Sequence, residues 1–341
     1  MATIATDTPS SQYSAMREGC GVLDRSERGK LALTGPDALE FLNGQVTNEL
    51  LDLRAGEGRY AAFLTHKGKM LGDLRILAVG ADADEIPAGA VGPPGDSATL
   101  PELLLDTERV ALQALFDMIR RFKVGYRVDL HKRTLERGLL SLIGPQADTI
   151  AGTEGALAHD EHASALTQIA GTPVLAVRTA VGVDLLCEAA DTQNLLAALR
   201  ERGATPVCEQ AAECVRVEHG RPRYGIDLDD TVIPQEAGLN ERAVSFTKGC
   251  YVGQETVARL YYRGKPNRHL RGLLLSAPVD TGDELLLGER TVGRVGSFAS
   301  SPRLGPIALA LVRREAPPGT SLSLGERGVS AEVVELPFPQ D

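Results

Sequence analysis

From Gly19 to about Arg259 the chain alternates between runs of period two and runs of helical spacing. Lys30 to Leu33 reads as a short strand that ends at Gly35. Pro36 then stands where a first helical turn tolerates proline, and Leu39, Leu42 and Val46 recur at helical spacing, which predicts a helix to roughly Leu50. Arg59–Thr65 and Met70–Val79 read as two strands, joined as a hairpin by His66-Lys67-Gly68-Lys69. The clearest helical pattern runs from Asp106 to Phe122. Its Leu112, Leu115, Ile119 and Phe122 share one face, acids precede it, and Arg120, Arg121 and Lys123 close it as the helix dipole favours. Leu139–Ile143, Pro173–Arg178 and Val183–Cys187 read as strands, and Asp191 is placed to cap a helix that reaches Arg202 and stops at Gly203.

After Arg263 the pattern changes. Leu270–Leu275, Glu284–Leu287, Thr291–Val295 and Ile307–Val312 are short apolar runs separated by glycine and proline, which predicts a small all-β barrel or sandwich. The class is therefore α+β, with a mixed α/β body followed by a C-terminal β domain. The expected division is a tail over 1–18, a two-lobed body over 19–262 with an insertion near 80–105, and the β domain over 263–341. Gly80 to Thr99, rich in Gly, Ala, Pro and Asp, reads as a loop within that insertion. No internal repeat stands out.

Size and composition narrow the function classes. At 341 residues the chain is too long for one ordinary core. A formal charge of −10 argues against broad nucleic-acid binding, which needs phosphate neutralisation. Five dispersed cysteines, an odd number, point to a reducing compartment, and Met1–Ser14 has no apolar targeting core. No run of about 18 apolar residues exists to span a membrane, so the expected location is cytoplasmic. The chain has no Trp, so a planar ligand would lie on Tyr, Phe, His or Arg.

Candidate chemistry centres on Lys248-Gly249-Cys250-Tyr251-Val252-Gly253-Gln254-Glu255. A cysteine between a lysine and a glutamate, in a glycine-punctuated turn, suggests a presented thiol. Lys248 would lower the thiol pKa or bind an anion, and Glu255 would orient Lys248 or an incoming group. The alternative is a local ion pair that fixes the turn. Gly249 and Gly253 suit tight backbone geometry, while Tyr251 and Gln254 either line a site or pack beneath it. From Arg242 to Arg271 stand seven Lys or Arg against one acid, with four aromatics, a combination suited to an anionic ligand with a flat ring. Arg216 and Glu218 alternate along what reads as an extended stretch, facing one side. His159 and His162 lie three apart in a surface-like segment, and no tightly bound metal is expected.

The octapeptide resembles the signature of the YgfZ branch of the glycine-cleavage T-protein superfamily. Other segments fall in the family's order: Gly35-Pro36-Asp37-Ala38 with Phe41 to Asn48, Lys67-Gly68-Lys69 with Asp73, Arg216-Val217-Glu218-x-Gly220, Gly225, Asp227, and Pro234-x-Glu236. Together these span about Arg17 to Arg271. The resemblance implies a multi-lobed body around a central folate-binding hole, with tetrahydrofolate as ligand. It further implies a role in assembly or repair of iron–sulfur proteins, with iron–sulfur carriers or clients as partners, sometimes seen through tRNA-modifying enzymes. On that reading Cys250 reacts with sulfur or shares a cluster with a partner, since one cysteine cannot hold a cluster alone. Asp73 would accept hydrogen bonds from a pterin or polarise a folate nitrogen, and Arg216, with Glu218, would meet a folate carboxylate.

The chain departs from the T-proteins proper in two places. Gly72-Asp73 keeps one of their paired acids, and Thr179–Asp184 lacks the tyrosine and glutamates of their folate-recognition segment. Both departures argue against aminomethyl transfer, and two other readings stand beside the accessory role. One is a tetrahydrofolate-dependent aminomethyltransferase. The other is an RNA or protein interaction module using the basic stripe, with Arg263, Lys265 and Arg268 as its test residues.

Overall fold

The architecture comes from a computed structural model that describes residues 8–80, 102–325 and 328–340. Helix α1 (Pro9–Glu18) and strand β1 (Gly21–Asp24) come first. Strand β2 (Gly29–Thr34) then leads through Gly35-Pro36 into α2 (Ala38–Asn43), the hairpin β3 (Gly58–Leu64) and β4 (Met70–Val79), strand β5 (Glu102–Thr107), a 3-10 turn and α3 (Leu112–Phe122). After β6 (Asp129–Lys132) the same succession returns. Strand β7 (Arg137–Ile143) leads through Gly144-Pro145 into α4 (Ala147–Ala151), the hairpin β8 (Ser164–Ile169) and β9 (Thr172–Thr179), strand β10 (Gly182–Glu188), a 3-10 turn and α5 (Thr192–Glu201).

The two sheets have one topology. The first runs β3-β4-β5-β2-β6 and the second β8-β9-β10-β7-β1, extended by β11 (Thr205–Pro206). Each unit contributes its leading strand to the other's sheet: β1 pairs with β7, and β6 pairs with β2. The glycine after the first core strand has positive φ in both units, 107° at Gly35 and 128° at Gly144. A Cβ at Gly35 would lie 2.3 Å from the Arg127 carbonyl oxygen, and one at Gly144 would lie 2.4 Å from that of Met16. Both carbonyls belong to the segment that approaches the exchanged strand. The repeat escapes a reading of the sequence because little beyond Gly-Pro-x-Ala is shared; the rest is carried by backbone pairing.

The sheets stack face to face, with a helical layer outside each. Phe41, Leu74, Ile76, Leu115 and Ile119 fill the space between the first sheet and its helices. Leu140, Leu142, Ile150, Leu195 and Leu199 do the same for the second. Between the sheets lie Ala32, Leu77, Leu104, Leu139, Leu175, Val177 and Leu186. Helix α6 (Glu209–Glu218), the one-turn α7 (Asn240–Ala243) and α8 (Gln254–Arg263) follow, and then a closed barrel. Its strands are β12 (Arg268–Leu275), β13 (Glu284–Leu287), β14 (Arg290–Ser301), β15 (Gly305–Arg313), β16 (Ser321–Leu324) and β17 (Val329–Val334), in the order β12-β15-β14-β13-β16-β17. The mixed α/β multi-lobed body and the terminal barrel match the expected class.

Several boundaries differ from expectation. The helix expected to reach Leu50 stops at Asn43, and Val46 instead bridges to Phe63. The helix expected from Asp106 begins at Leu112, because Asp106 and Thr107 complete β5. Buried charge hid that strand, since period-two reading looks for apolar positions. Residues 9–18 of the expected tail form α1, capped by Thr8, with Tyr13 and Met16 buried against α6. The loop placed over Gly80–Thr99 lies outside the described residues apart from Gly80.

Candidate functional site

Asp73 lies on β4 with 6% of its surface exposed. The Tyr60 hydroxyl on β3 donates to its Oδ2 at 2.7 Å, and the Thr107 hydroxyl donates to its carbonyl at 2.5 Å. Burial raises the Asp73 carboxyl to about 6, against the Tyr60 hydrogen bond and the nearby Arg28, which both lower it. The acid thus titrates near neutrality, in the range suited to proton transfer. A Cβ at Gly72 would fall 2.6 Å from the Phe63 ring and 2.7 Å from Ala111 Cβ. The place of a second acid is filled by hydrocarbon.

Beside Asp73 runs a buried row of charge. Arg75 donates to Asp106 at 2.7 Å and to Asp184 across the sheet interface at 2.6 Å. Arg28 forks onto Asp106 at 2.9 and 3.1 Å and also pairs with Glu108. Burial pushes Asp106 upward, but the two guanidiniums overcome it and hold the carboxyl well below its usual range. The row continues through Arg223, which meets Glu209 and Glu213, to Arg216 and Asp227 at the barrel. Four arginines of an acidic chain, Arg28, Arg75, Arg216 and Arg223, thus meet acids in its interior.

Around Tyr60 stand two residues that the sequence placed otherwise: Arg242, counted in the basic stripe, and His162, expected in a surface-like segment but buried. The Arg242 guanidinium lies 4.9 Å from the Tyr60 ring centroid and pairs with Glu161 at 2.8 Å. Arg221 holds the same glutamate at 3.2 Å. The His162 ring lies 6.0 Å from that of Tyr60. His162 is buried in a left-handed backbone conformation, φ 75°, and its Nδ1 has no hydrogen-bond partner. Burial pushes the imidazole down to about 4, so it is neutral at pH 7. The alternation that puts Tyr60 on the face of Asp73 is a period-two signal; the Ala- and Asp-rich stretch around His162 gives no sign of its burial.

The signature octapeptide packs beneath the same hairpin, its Tyr251 in one cluster with Tyr60 and with Ala62, the cross-strand partner of Asp73. Cys250 is exposed on the loop before α8. Lys248 is buried, and its ammonium donates to the carbonyls of Asn43, Val46 and Asn48 at 2.7, 2.9 and 2.6 Å. All its donors are taken, so it does not serve as the anion or thiolate partner expected. Burial lowers it to about 8. Glu255 is exposed in the first turn of α8, with no ion pair to Lys248 among the described residues. Tyr251 packs with Ala62, Leu64 and Met70, and Gln254 reaches back to the Gly249 carbonyl at 3.3 Å. Gly253, φ 84°, is required: a Cβ there would lie 2.6 Å from the Thr65 carbonyl oxygen. At Gly249 a Cβ would meet nothing, so close approach does not explain that glycine.

Arg216 and Glu218 also differ from expectation, because the stretch is helix α6 and not extended. Two residues apart on a helix, their side chains diverge. Arg216 is consumed by Glu213, Asp227 and Ser297, leaving no fork for a carboxylate ligand. Glu218 is fully buried and accepts from Tyr13 and Ser301. The basic stripe divides: Arg259, Arg263 and Lys265 are exposed, and the other four cations point to partners within the fold. Arg242, Lys248, Arg268 and Arg271 all have structural partners. Phe246 and Tyr261 stack on each other at 3.7 Å, and Tyr261 and Tyr262 face solvent.

A cleft of about 450 Å³ opens between α1, the β9–β10 turn and α6, lined in part by Arg17, Arg178, Thr179, Val181 and His219. Asp73, Tyr60 and Cys250 do not line it. The buried carboxyl with a raised pKa, Asp73, lies outside this cleft, and a perturbed acid of that kind marks candidate chemistry better than volume does. Among the described residues, no group of three or more His, Cys, Asp or Glu is placed to hold a metal ion, and no helix is long and apolar enough to cross a membrane.

Comparison with known proteins agrees with this fold. The GCVT N-terminal domain matches residues 3–248, and the glycine cleavage T-protein C-terminal barrel domain matches residues 268–339. The chain belongs to the glycine cleavage T-protein family. It is similar to the aminomethyltransferase of Streptomyces avermitilis, 30% identical over 96% of this chain and 88% of that protein. The aminomethyltransferase of Saccharopolyspora erythraea is 31% identical over 96% of this chain and 89% of that protein. Its fold matches the crystal structure of the glycine cleavage system aminomethyltransferase T from Bartonella henselae, with a TM-score of 0.81, 22% identity, and coverage of 97% of this chain and 89% of that one.

Proposed function

We propose that the chain binds tetrahydrofolate where its two sheets and barrel meet, and handles a one-carbon unit there as an aminomethyltransferase-like enzyme. Asp73 carries this reading: a buried carboxyl with a pKa near 6, held by a tyrosine hydroxyl in a T-protein-family fold. The residues fit a pterin. An aromatic face (Tyr60), a titratable acid (Asp73) and an unpartnered buried imidazole (His162) suit a flat heterocycle rich in hydrogen-bonding groups. When bound, tetrahydrofolate supplies the nitrogens that carry a one-carbon unit. Asp73 takes and returns a proton beside them, and the Tyr60 hydroxyl steadies its ionised form. The packed Phe63 ring at Gly72 means that a single carboxylate does this work.

The exposed Cys250 favours a second reading, the YgfZ-like accessory role toward iron–sulfur proteins, in which the thiol meets a carrier or client. The two readings share the folate site and differ in turnover. Tetrahydrofolate at 100 times its Kd is expected to raise the melting temperature by roughly 5 °C. No shift at saturation removes the ligand from both readings. With binding shown, release of product from an aminomethyl donor supports the enzyme. Binding without turnover, together with Cys250-dependent rescue of iron–sulfur enzymes, supports the accessory role.

A further inference from the structure

Native interiors leave few buried polar atoms unpaired, and each exception asks for a partner that completes it. Three of the exceptions here belong to the second unit: His162 Nδ1, Ser164 Oγ and Ser141 Oγ. Ser164 opposes Val177, Val177 opposes Asp184, and Asp184 opposes Ser141, so one row crosses β8, β9, β10 and β7. Directly opposed residues share a face of a sheet. That face looks toward β4, because Asp184 bonds Arg75 there. His162 stands at the end of the row, beside Tyr60 and therefore beside the group that holds Asp73.

The His162 backbone adds a second observation. A left-handed φ is uncommon for residues other than glycine, and where surrounding structure enforces it the strain gathers at functional positions. Here it aims a neutral ring with an unpaired nitrogen at the interface between the sheets. The piece that closes this corner is Arg242. Its guanidinium sits on Tyr60 and is tied to Glu161, the residue before His162. A flat ring seated on Tyr60 would replace that guanidinium, exchanging a cation–π contact for ring stacking.

We propose that His162 is a ligand-recognition residue of the central site, its Nδ1 accepting a hydrogen bond from a ring N–H of the bound heterocycle once Arg242 has left the Tyr60 face. The proposal rests on the tetrahydrofolate reading and adds to it the residue that recognises the ring. The test is tetrahydrofolate binding by calorimetry to the full chain and to His162→Phe, with the melting temperature of each unliganded protein measured in parallel. Phe keeps a ring beside Tyr60 and removes the unpaired nitrogen. The expected result is a Kd raised about tenfold, the worth of one hydrogen bond, with an unliganded melting temperature equal to or above that of the parent. A parent that binds and a variant that binds within twofold of it overturns the proposal and leaves the folate reading standing. A variant that loses unliganded stability in step with affinity also overturns it, because His162 then acts through the fold. A parent that does not bind removes both. Should the phenylalanine variant fail to fold, His162→Gly tolerates the left-handed backbone, removes the acceptor and is judged by the same affinity criterion.

Discussion

The two repeated units form an internal control. In the first, Asp106 lies two residues before Glu108, which precedes the 3-10 turn; in the second, Leu186 lies two residues before Glu188, which does the same. Asp106 pairs across the sheet with Arg75 on one side and Lys30 on the other. Leu186 pairs with Leu175 and Leu139. One row of three positions is therefore Arg–Asp–Lys in the first unit and Leu–Leu–Leu in the second. All six residues are buried, and the leucines form part of the core between the sheets. The topology stands on hydrocarbon in one copy, so it does not require charge in the other. Buried ions cost several kcal/mol each in lost hydration, and apolar replacements of buried pairs are often neutral or stabilising. On the proposed reading, the first unit carries its charges for the site beside them. Arg28, forked onto Asp106, lowers the Asp73 carboxyl against the burial that raises it.

The largest expected effect tests whether that row acts as one unit. Asp106→Leu leaves Arg75 and Arg28 without their shared carboxylate and is expected to cost about 3–5 kcal/mol in urea unfolding. Adding Arg75→Leu moves the row toward its leucine counterpart. The double variant is expected to be more stable than the sum of the single effects by about 1–3 kcal/mol. Strict additivity would break the comparison, because the charges would then be independent and the leucine row no guide to them.

A second substitution sharpens it by separating function from fold. The folded-state carboxyl of Asp73 lies near 6, above the roughly 3.9 of an unfolded chain. The folded protein therefore holds this proton more tightly, and the group destabilises wherever the unfolded acid is ionised. That cost is absent below about pH 4, grows to about pH 6 and is constant above. Asp73→Asn keeps an acceptor for Tyr60 and removes the titration. It is expected to gain on the order of 3 kcal/mol at pH 7 to 8 and almost nothing at pH 3.5, while one-carbon turnover falls about 100-fold or more. Equal stability of parent and variant across that range would show that Asp73 is not held near neutrality by its surroundings.

The sequence made some of this legible and concealed the rest for physical reasons. The β3–β4 hairpin, β7, β9, β10, α5 and the barrel were readable because their buried faces are apolar and their ends carry glycine or capping residues. Strand β5 was not, since its inner face includes Asp106, and a buried ion looks like a solvated one in a pattern of polarity. Asp73 was visible through its family segment. Tyr60 was within reach, because it shares a face with Arg75 in the same hairpin. His162 comes from a loop and Arg242 from α7, nearly a hundred residues from Asp73 in one case and more than a hundred in the other, and only the folded chain brings them together. Lys248 was misread for a related reason. Its motif marks a lysine beside a cysteine, but the side chain turns inward to carbonyls two hundred residues earlier.

The smallest expected effect on stability can overturn the lesson of the two units most directly. Cys250 lies outside both, exposed on a loop whose neighbours already have their partners: Lys248 with backbone carbonyls, Gln254 with Gly249. A surface substitution away from packed or bonded groups changes stability by about 0.5 kcal/mol or less, so Cys250→Ser is expected to melt with the parent and to bind tetrahydrofolate with the same Kd. If the variant also keeps full activity in one-carbon turnover and in rescue of iron–sulfur enzymes, the charge-bearing unit holds the function and the thiol is incidental. If rescue is lost while folate binding stays intact, function is divided between a buried acid that meets the ligand and a sulfur that meets a partner. The polar row of the first unit would then be half of the explanation, the other half being a loop with no counterpart in either repeat.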